Sequence, residues 1–401
     1  MRKYFNQLCK KIVLRNLSNI SKGALSIVDD GNKYTFGHDS SINAEIKVNN
    51  PRFYTEVLLG GSIGAGESFI LGSWSSDDLT RVIQLMARNQ STMDTMEGPF
   101  KVLMSPFLRA LHTLNKNTLY GSKKNISRHY DLSNKFFSLF LDSSMMYSAA
   151  IYKKNNDTLE IAAENKLEVI CQKLNLNKSH QIIEIGSGWG GFAIYAAKKY
   201  GCHITTTTIS HEQYKHVKRR VKELGLQGHI KVIFSDYREL SGKYDKLVSI
   251  EMIEAVGHQF YKTYFSKVSA LLKDDGDALI QAITIRDQRY KQALKSVDFI
   301  QKYIFPGSCI PSINAMQDAI TTSSDMVVND VQDIGHHYAK TLADWRERFV
   351  INKKEIIKLG FDEAFIRMWF FYFCYCEGGF IEKSISDLHL HLSKPEYRNK
   401  I

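Results

Sequence analysis

The sequence predicts an α/β fold: a doubly wound, mostly parallel sheet preceded by a smaller α+β region. Three observations carry this. A short apolar run, IIEI (182–185), meets a glycine-rich turn, GSGWGG (186–191), and then an alanine-rich helical stretch, FAIYAAKKY. Further strand candidates alternate with helical stretches after it, which is how a parallel sheet is built. At 401 residues the chain is also long enough for two domains.

The N-terminus is basic. Arg2, Lys3, Lys10, Lys11, Arg15 and Lys22 precede the first acid, Asp29, within a chain of net charge +11. Phe5, Leu8, Ile12, Val13, Leu17 and Ile20 fall between them at amphipathic-helix spacing. Such a helix suits an anionic membrane surface, and packing on its own protein is the equal alternative. The segment lacks the apolar core and cleavage site of a secretory signal. No run reaches the roughly 18–20 apolar residues of a membrane span; MWFFYFCYC (368–376) predicts a buried helix.

Residues 24–50 read as short strands, with Asp29-Asp30-Gly31-Asn32 as a hairpin turn. The stretch 50–74 predicts a helix ending in glycines, with Gly60, Gly61, Gly64 and Gly66 shaping turns, and a second helix starts near Asp77. The polar, basic residues 112–127 are the expected linker. After it come a helix cap at Asp131 or Ser133 and a long amphipathic helix over 159–174. The strand candidates are IIEIG, HITTTTIS, KVIFSDY, KLVSIE and ALIQAITI. The insert 286–336, with Pro306 and Pro311, is too long for a simple connection and is expected to form a lid or pocket element. Six cysteines without a C-x-x-C pair predict neither zinc site nor disulfide framework, and a reducing compartment. His336-His337 lack an H-E-x-x-H context, so no metal is expected.

The G-x-G-x-G spacing is neither the phosphate loop nor the full dinucleotide fingerprint. It fits the first loop of an S-adenosylmethionine (AdoMet) methyltransferase, with Glu184 two positions before the first glycine; a turn that only packs helix on strand is the alternative. Thr208, Ser210 and Gln213 at the second strand end can bond ribose hydroxyls. Asp236 and Tyr237 at the third can accept from an adenine amino group and pack the ring. The fourth ends in Glu251 and Glu254, one helical turn apart and sharing a face. Carboxylates there either perform chemistry or complement a helix N-terminus.

Several motifs in order resemble the cyclopropane-fatty-acyl-phospholipid synthases, which include the mycolic acid cyclopropane synthases. They are GESFILGSW (66–74), HYDLSNKFFSLFLDSSMMYS (129–148), EIGSGWGG, TISHEQ, SDYREL, KYIFPGSCIPS and GHHYAKTLADWRERF (335–349). The resemblance implies methylene transfer from AdoMet to the cis double bond of an unsaturated phospholipid acyl chain. By motif, AdoMet is held by Tyr147, Ser148, Gly186, Gly188, Thr208, Ser210, Gln213, Asp236 and Tyr237. Tyr147, Tyr303, Phe305 and Tyr338 are candidate faces for a carbocation. It also implies an N-terminal lipid- or membrane-associated domain over 1–120 and a catalytic domain over 127–401. Membrane phospholipid is the expected partner, nucleic acid is not, and a homodimer is left open. The expected location is cytoplasmic, peripheral to the inner face of the membrane.

Family members usually hold a bicarbonate base with a Cys, a Glu, a His and a Tyr. Here the Cys position is Ala149 and the His position is Gln281, while Glu254 and Tyr338 remain. Glu251 stands where a glycine is often found. The expected catalytic set is therefore Glu251 as base, Glu254 and Tyr338 orienting it, and Gln281, with bicarbonate not required. A branched-chain product, methylation of another nucleophile such as an amine, or an inactive lipid binder are the alternatives.

Overall fold

The structure, a computed structural model, describes residues 2–94 and 132–398. The expected linker and Asp131 lie outside the described residues. The chain forms two units. One holds the described residues up to 94 together with 295–304 and 342–384; the other holds 132–294, 305–341 and 385–398.

The first unit opens with α1 (Arg2–Leu17), β1 (Ala24–Asp29), β2 (Asn32–Phe36), β3 (Asn43–Val48), α2 (Arg52–Ile70), β4 (Trp74–Ser75) and α3 (Leu79–Arg88). The sheet order is β2-β1-β3-β4. Asp30 (φ 50°) and Gly31 (φ 76°) turn the β1–β2 hairpin in the doubly left-handed form that matches strand twist. Helix α1 buries Cys9, Val13 and Leu17, and Lys10 pairs with Asp29 at 2.5 Å. The residues expected on one apolar face thus divide: Val13, Leu17 and Ile20 enter the unit's own core, while Phe5 and Leu8 are exposed beside Tyr4.

The glycines of 60–66 lie inside α2 and do not end it. Gly61 (φ 55°, ψ −138°) kinks the helix. A Cβ at Gly64 would stand 2.0 Å from the Glu56 carbonyl oxygen, and one at Gly66 would stand 2.7 Å from the Phe299 ring. These glycines serve close approach, not turns. The apolar 368–376 stretch forms a largely buried helix, Glu363–Ile381, as expected.

The second unit contains α4 (Asn134–Phe137), α5 (Leu159–Lys173), β5 (Gln181–Ile185), α6 (Gly191–Tyr200), β6 (His203–Thr208), α7 (His211–Glu223), β7 (Ile230–Phe234), β8 (Tyr244–Ile250), α8 (Tyr261–Leu271), β9 (Leu272–Ile285), α9 (Asp287–Ala293), α10 (Ile313–Ser323), β10 (Val327–Asp333) and β11 (Ile385–Ser393). Ser133 caps α4 through Phe136 N–H. All five expected strands are present, as β5 to β9, within a seven-stranded sheet of order β10-β11-β9-β8-β5-β6-β7. Strands β5 to β9 run parallel; β11 and β10 add an antiparallel edge. The insert 286–336 is therefore not a bare lid: it supplies α9, α10 and the edge strand β10.

Chain order reverses between β5 and β8, which opens a crevice at their carboxyl ends. Side chains alternate between the sheet faces. Ile183, Leu247, Ile280 and Leu388 pack with α8 and α10 on one side. Ile182, Ile204, Val248 and Leu279 pack with α5, α6 and α7 on the other. By the same alternation Glu184, Thr206, Gln281, Asp387 and His389 fall on the α5 side.

Candidate active site

The β5–α6 loop carries three left-handed glycines, Gly186 (φ 93°), Gly188 (φ 49°) and Gly190 (φ 89°). Gly186 and Ser187 donate their N–H groups to the Thr207 carbonyl at 3.1 and 2.8 Å, anchoring the loop to β6. Among the described residues a Cβ on Gly188 would meet no atom within 4 Å beyond its chain neighbours, so they leave open space there.

At the end of β6, Thr208 donates its hydroxyl to Gln213 Oε1 at 2.8 Å and accepts from Ser210 N–H at 3.1 Å. Ser210 caps α7 through Gln213 N–H. The three expected ribose partners thus form one connected cluster. After β7, both oxygens of Asp236 accept from Arg238, at 2.8 Å from Nε and 2.7 Å from Nη2. The Tyr237 ring packs edge-on against Tyr264, 5.6 Å between centroids, in the core of the sheet.

Glu251 follows β8 directly and takes a left-handed conformation (φ 48°) that a glycine would adopt without strain. Its Oε1 accepts from Ala149 N–H at 2.7 Å and from Gln281 Nε2 at 2.8 Å; its Oε2 accepts from the Tyr338 hydroxyl at 2.7 Å. The residue keeps some accessible surface, yet protein surrounds the carboxylate closely enough for burial to raise its pKa. The hydrogen bonds from Tyr338 and Ala149 N–H oppose that rise. Such a group is a stronger base than an exposed glutamate.

Glu254 departs from expectation. It lies in a separate 3₁₀ turn, Ile253–Ala255, and its Oε1 accepts from Ile283 N–H; its Oε2 has no hydrogen-bond partner among the described residues. It neither shares a helix face with Glu251 nor orients it. Burial, and secondarily the Glu251 charge, push its pKa up to about 8.

Sequence reasoning missed the polar cluster behind Glu251. Gln281 also donates to Asp387 Oδ2 at 2.7 Å, and Gln281, Asp387 and His389 are all fully buried. The equally buried Lys166 of α5 donates to Ser148 Oγ at 2.7 Å. Burial lowers its pKa to about 8 and raises that of Glu184 to about 8. Glu184 accepts from the Thr206 hydroxyl. The alternation of Asp387, His389 and His391 with Leu388, Leu390 and Leu392 was the available signal.

Of the proposed aromatic faces, Tyr147 and Phe305 are neighbours, 6.2 Å between centroids, and Tyr338 is hydrogen-bonded to Glu251. Tyr303 belongs to the first unit, where its hydroxyl donates to Glu67. No group of three or more potential metal ligands occurs among the described residues.

The family model for mycolic acid cyclopropane synthetase matches residues 118–390. The chain belongs to this family. It is 36% identical over 352 residues to a cyclopropane-fatty-acyl-phospholipid synthase of Escherichia coli (strain K12), covering 86% of this chain and 87% of the relative. It is also 36% identical over 327 residues to the tuberculostearic acid methyltransferase UfaA1 of Mycobacterium tuberculosis, covering 80% and 76%. Among solved structures, the mycolic acid cyclopropane synthase CmaA1 complexed with SAH and CTAB superposes with a TM-score of 0.64 at 30% identity, over 68% of this chain and 98% of the other.

Like its family, the protein is an AdoMet-dependent C-methyltransferase. The residues present fit that cofactor: the glycine loop leaves room where a Cβ would intrude, and the Thr208–Ser210–Gln213 cluster offers polar atoms at the neighbouring strand end.

Proposed function

We propose that this family member transfers a methylene group from AdoMet across the cis double bond of an unsaturated phospholipid acyl chain, with the Glu251 carboxylate as the base. The supporting observation is the set of three donors on that carboxylate: Ala149 N–H, Gln281 and Tyr338. By resemblance, these positions belong to the bicarbonate site of family members. An internal carboxylate takes the ion's place in this reading, and bicarbonate is dispensable.

When bound, AdoMet would supply its sulfonium methyl to the alkene, the S–CH3 bond breaking to leave S-adenosylhomocysteine; the carbocation on the acyl chain then needs to lose a proton from the new methyl as the ring closes. Glu251 accepts that proton. Ala149 N–H, Gln281 and Tyr338 hold its oxygens, so little reorganisation accompanies the transfer. Tyr147 and Phe305 offer electron-rich faces to the cation. Mass spectrometry of lipids from cells expressing the protein is expected to show gain of CH2 on monounsaturated chains, with upfield cyclopropyl protons by NMR. A branched chain is the second reading, favoured by the identity to a tuberculostearic acid methyltransferase; olefinic methylene protons would identify a methylene branch. Chains of unchanged mass would remove both.

Peripheral membrane attachment is part of this proposal. No helix of the described residues is long and apolar enough to cross a membrane. Tyr4, Leu8, Lys11 and Arg15 form an exposed stripe on α1, suited to an anionic surface. Lys11→Gln with Arg15→Gln is expected to weaken binding to phosphatidylserine vesicles by on the order of 30-fold at low salt, at about 1 kcal/mol per charge. Raising the salt should narrow that gap. Cosedimentation that does not distinguish the two proteins would exclude α1 as the docking element.

A further inference from the structure

Behind the Glu251 carboxylate lies a second acid that the mechanism leaves unused. Asp387 sits on β11, where its strand neighbour across the ladder is Ile283, and His389 faces Gln281. Its side chain is fully buried. Gln281 binds both acids through one nitrogen, at 2.8 Å to Glu251 Oε1 and 2.7 Å to Asp387 Oδ2. The amide therefore spends both of its hydrogens on two carboxyl groups. Its oxygen can only accept, so His389 Nε2, at 3.3 Å, carries the hydrogen. That leaves His389 Nδ1 without a donor or acceptor to meet, as observed.

Two ionised carboxyls cannot lie against one another in a site this dry. Among the described residues Asp387 Oδ1 meets no donor, and its carboxyl converges with that of Glu251 on the one Gln281 nitrogen, so that a proton on either acid can be shared between them. The other charged or titratable groups facing Asp387 are Glu254 after β8, Lys166 on α5 and His389 on its own strand. His389 is held neutral by burial, its pKa lowered to about 3, with His337, Lys173 and Asp330 acting on it from further away. Among the described residues Lys166 is then the one cation close by, enough to balance one anion and not two. Glu251 has, among the described residues, three donors on its oxygens, while Asp387 has only the shared amide. The negative charge belongs where the donors are.

We propose that Asp387 is a positioning residue of the base site: a neutral carboxylic acid that donates its proton to Glu251 and, with Gln281, leaves Glu251 as the one anion of the pair. This rests on Glu251 being the base. Asp387 is fully buried behind Gln281; it acts by lowering the cost of keeping the enclosed Glu251 carboxylate ionised. Burial and the Glu251 charge both hold the Asp387 pKa well above the usual carboxylate range, in agreement with this assignment.

The test uses the full chain in three variants. Infrared difference spectra of protein with ¹³C-labelled aspartate, at neutral pH, are expected to show a protonated carboxylic-acid band that Asp387→Asn lacks. In kcat/KM on vesicles of a cis-monounsaturated phospholipid, Asp387→Leu should move the acid limb up by about 1–2 pH units, the equivalent of one hydrogen bond to a charged group. Asp387→Asn, whose amide can still donate, should bring the limb back. A wild-type spectrum identical to that of Asp387→Asn, or an Asp387→Leu limb that does not move, overturns the proposal. Glu251→Gln assayed alongside separates the two readings: normal turnover there removes Glu251 as base, while the aspartate band still decides whether Asp387 is neutral.

Discussion

Glu251→Gln is expected to lose about 100-fold or more in turnover, the scale of a positioned general base, with AdoMet affinity unchanged by calorimetry. The amide keeps the size of the side chain but cannot take the proton. In the wild type, the rate should rise with pH as Glu251 ionises. Burial raises its pKa, so that limb lies above the range of an exposed glutamate. Depleting or adding bicarbonate should leave the wild-type rate unchanged, because the carboxylate already occupies the three donors an ion would use. Glu251→Gly combined with Ala149→Cys and Gln281→His is expected to become bicarbonate-dependent. An enzyme that stops without bicarbonate, or Glu251→Gln at full turnover, would take Glu251 out of the role.

Gly188→Val should abolish AdoMet binding, a loss of at least about 100-fold, or roughly 2.7 kcal/mol. The described residues leave room for the side chain, since none of their atoms beyond the chain neighbours lies within 4 Å of a Cβ at Gly188. The expected penalty on folding is the left-handed backbone alone (φ 49°), about 1–2 kcal/mol. The cofactor, in contrast, needs that space. Gly225→Val provides the comparison: it has φ 68° and is equally free of neighbours, so it should cost similar stability and leave AdoMet affinity intact. Calorimetry showing equal affinity for both variants would assign the β5–α6 loop a structural role only.

Much of this site was legible because its chemistry is local in sequence. The run from Ile182 to Gly191 encodes strand, turn and helix through apolar spacing and glycine placement, and the left-handed angles at Gly186, Gly188 and Gly190 follow from it. The parallel strands were readable from alternation, and Ala149, Glu251 and Gln281, the three positions at which the chain departs from the family pattern, are the ones that meet at the Glu251 carboxylate. The glycines of α2 were misread because a glycine that relieves a close contact, such as Gly64 on the Glu56 carbonyl or Gly66 on Phe299, has the same one-dimensional signature as a turn.

The sequence by itself determined the fold class, the glycine-rich loop and the family, since each is written in short runs of adjacent residues. Only the tertiary structure decided what surrounds Glu251. Asp387 reaches Gln281 across 106 residues of chain, Ala149 N–H reaches Glu251 across 102, and Glu254 turns away to Ile283 N–H. Periodicity tells which face of a strand a side chain occupies, but not which strand lies beside it. The antiparallel placement of β11 against β9 is what brings a second buried acid to Gln281 beside Glu251, and that placement is set by long-range burial rather than by any local pattern.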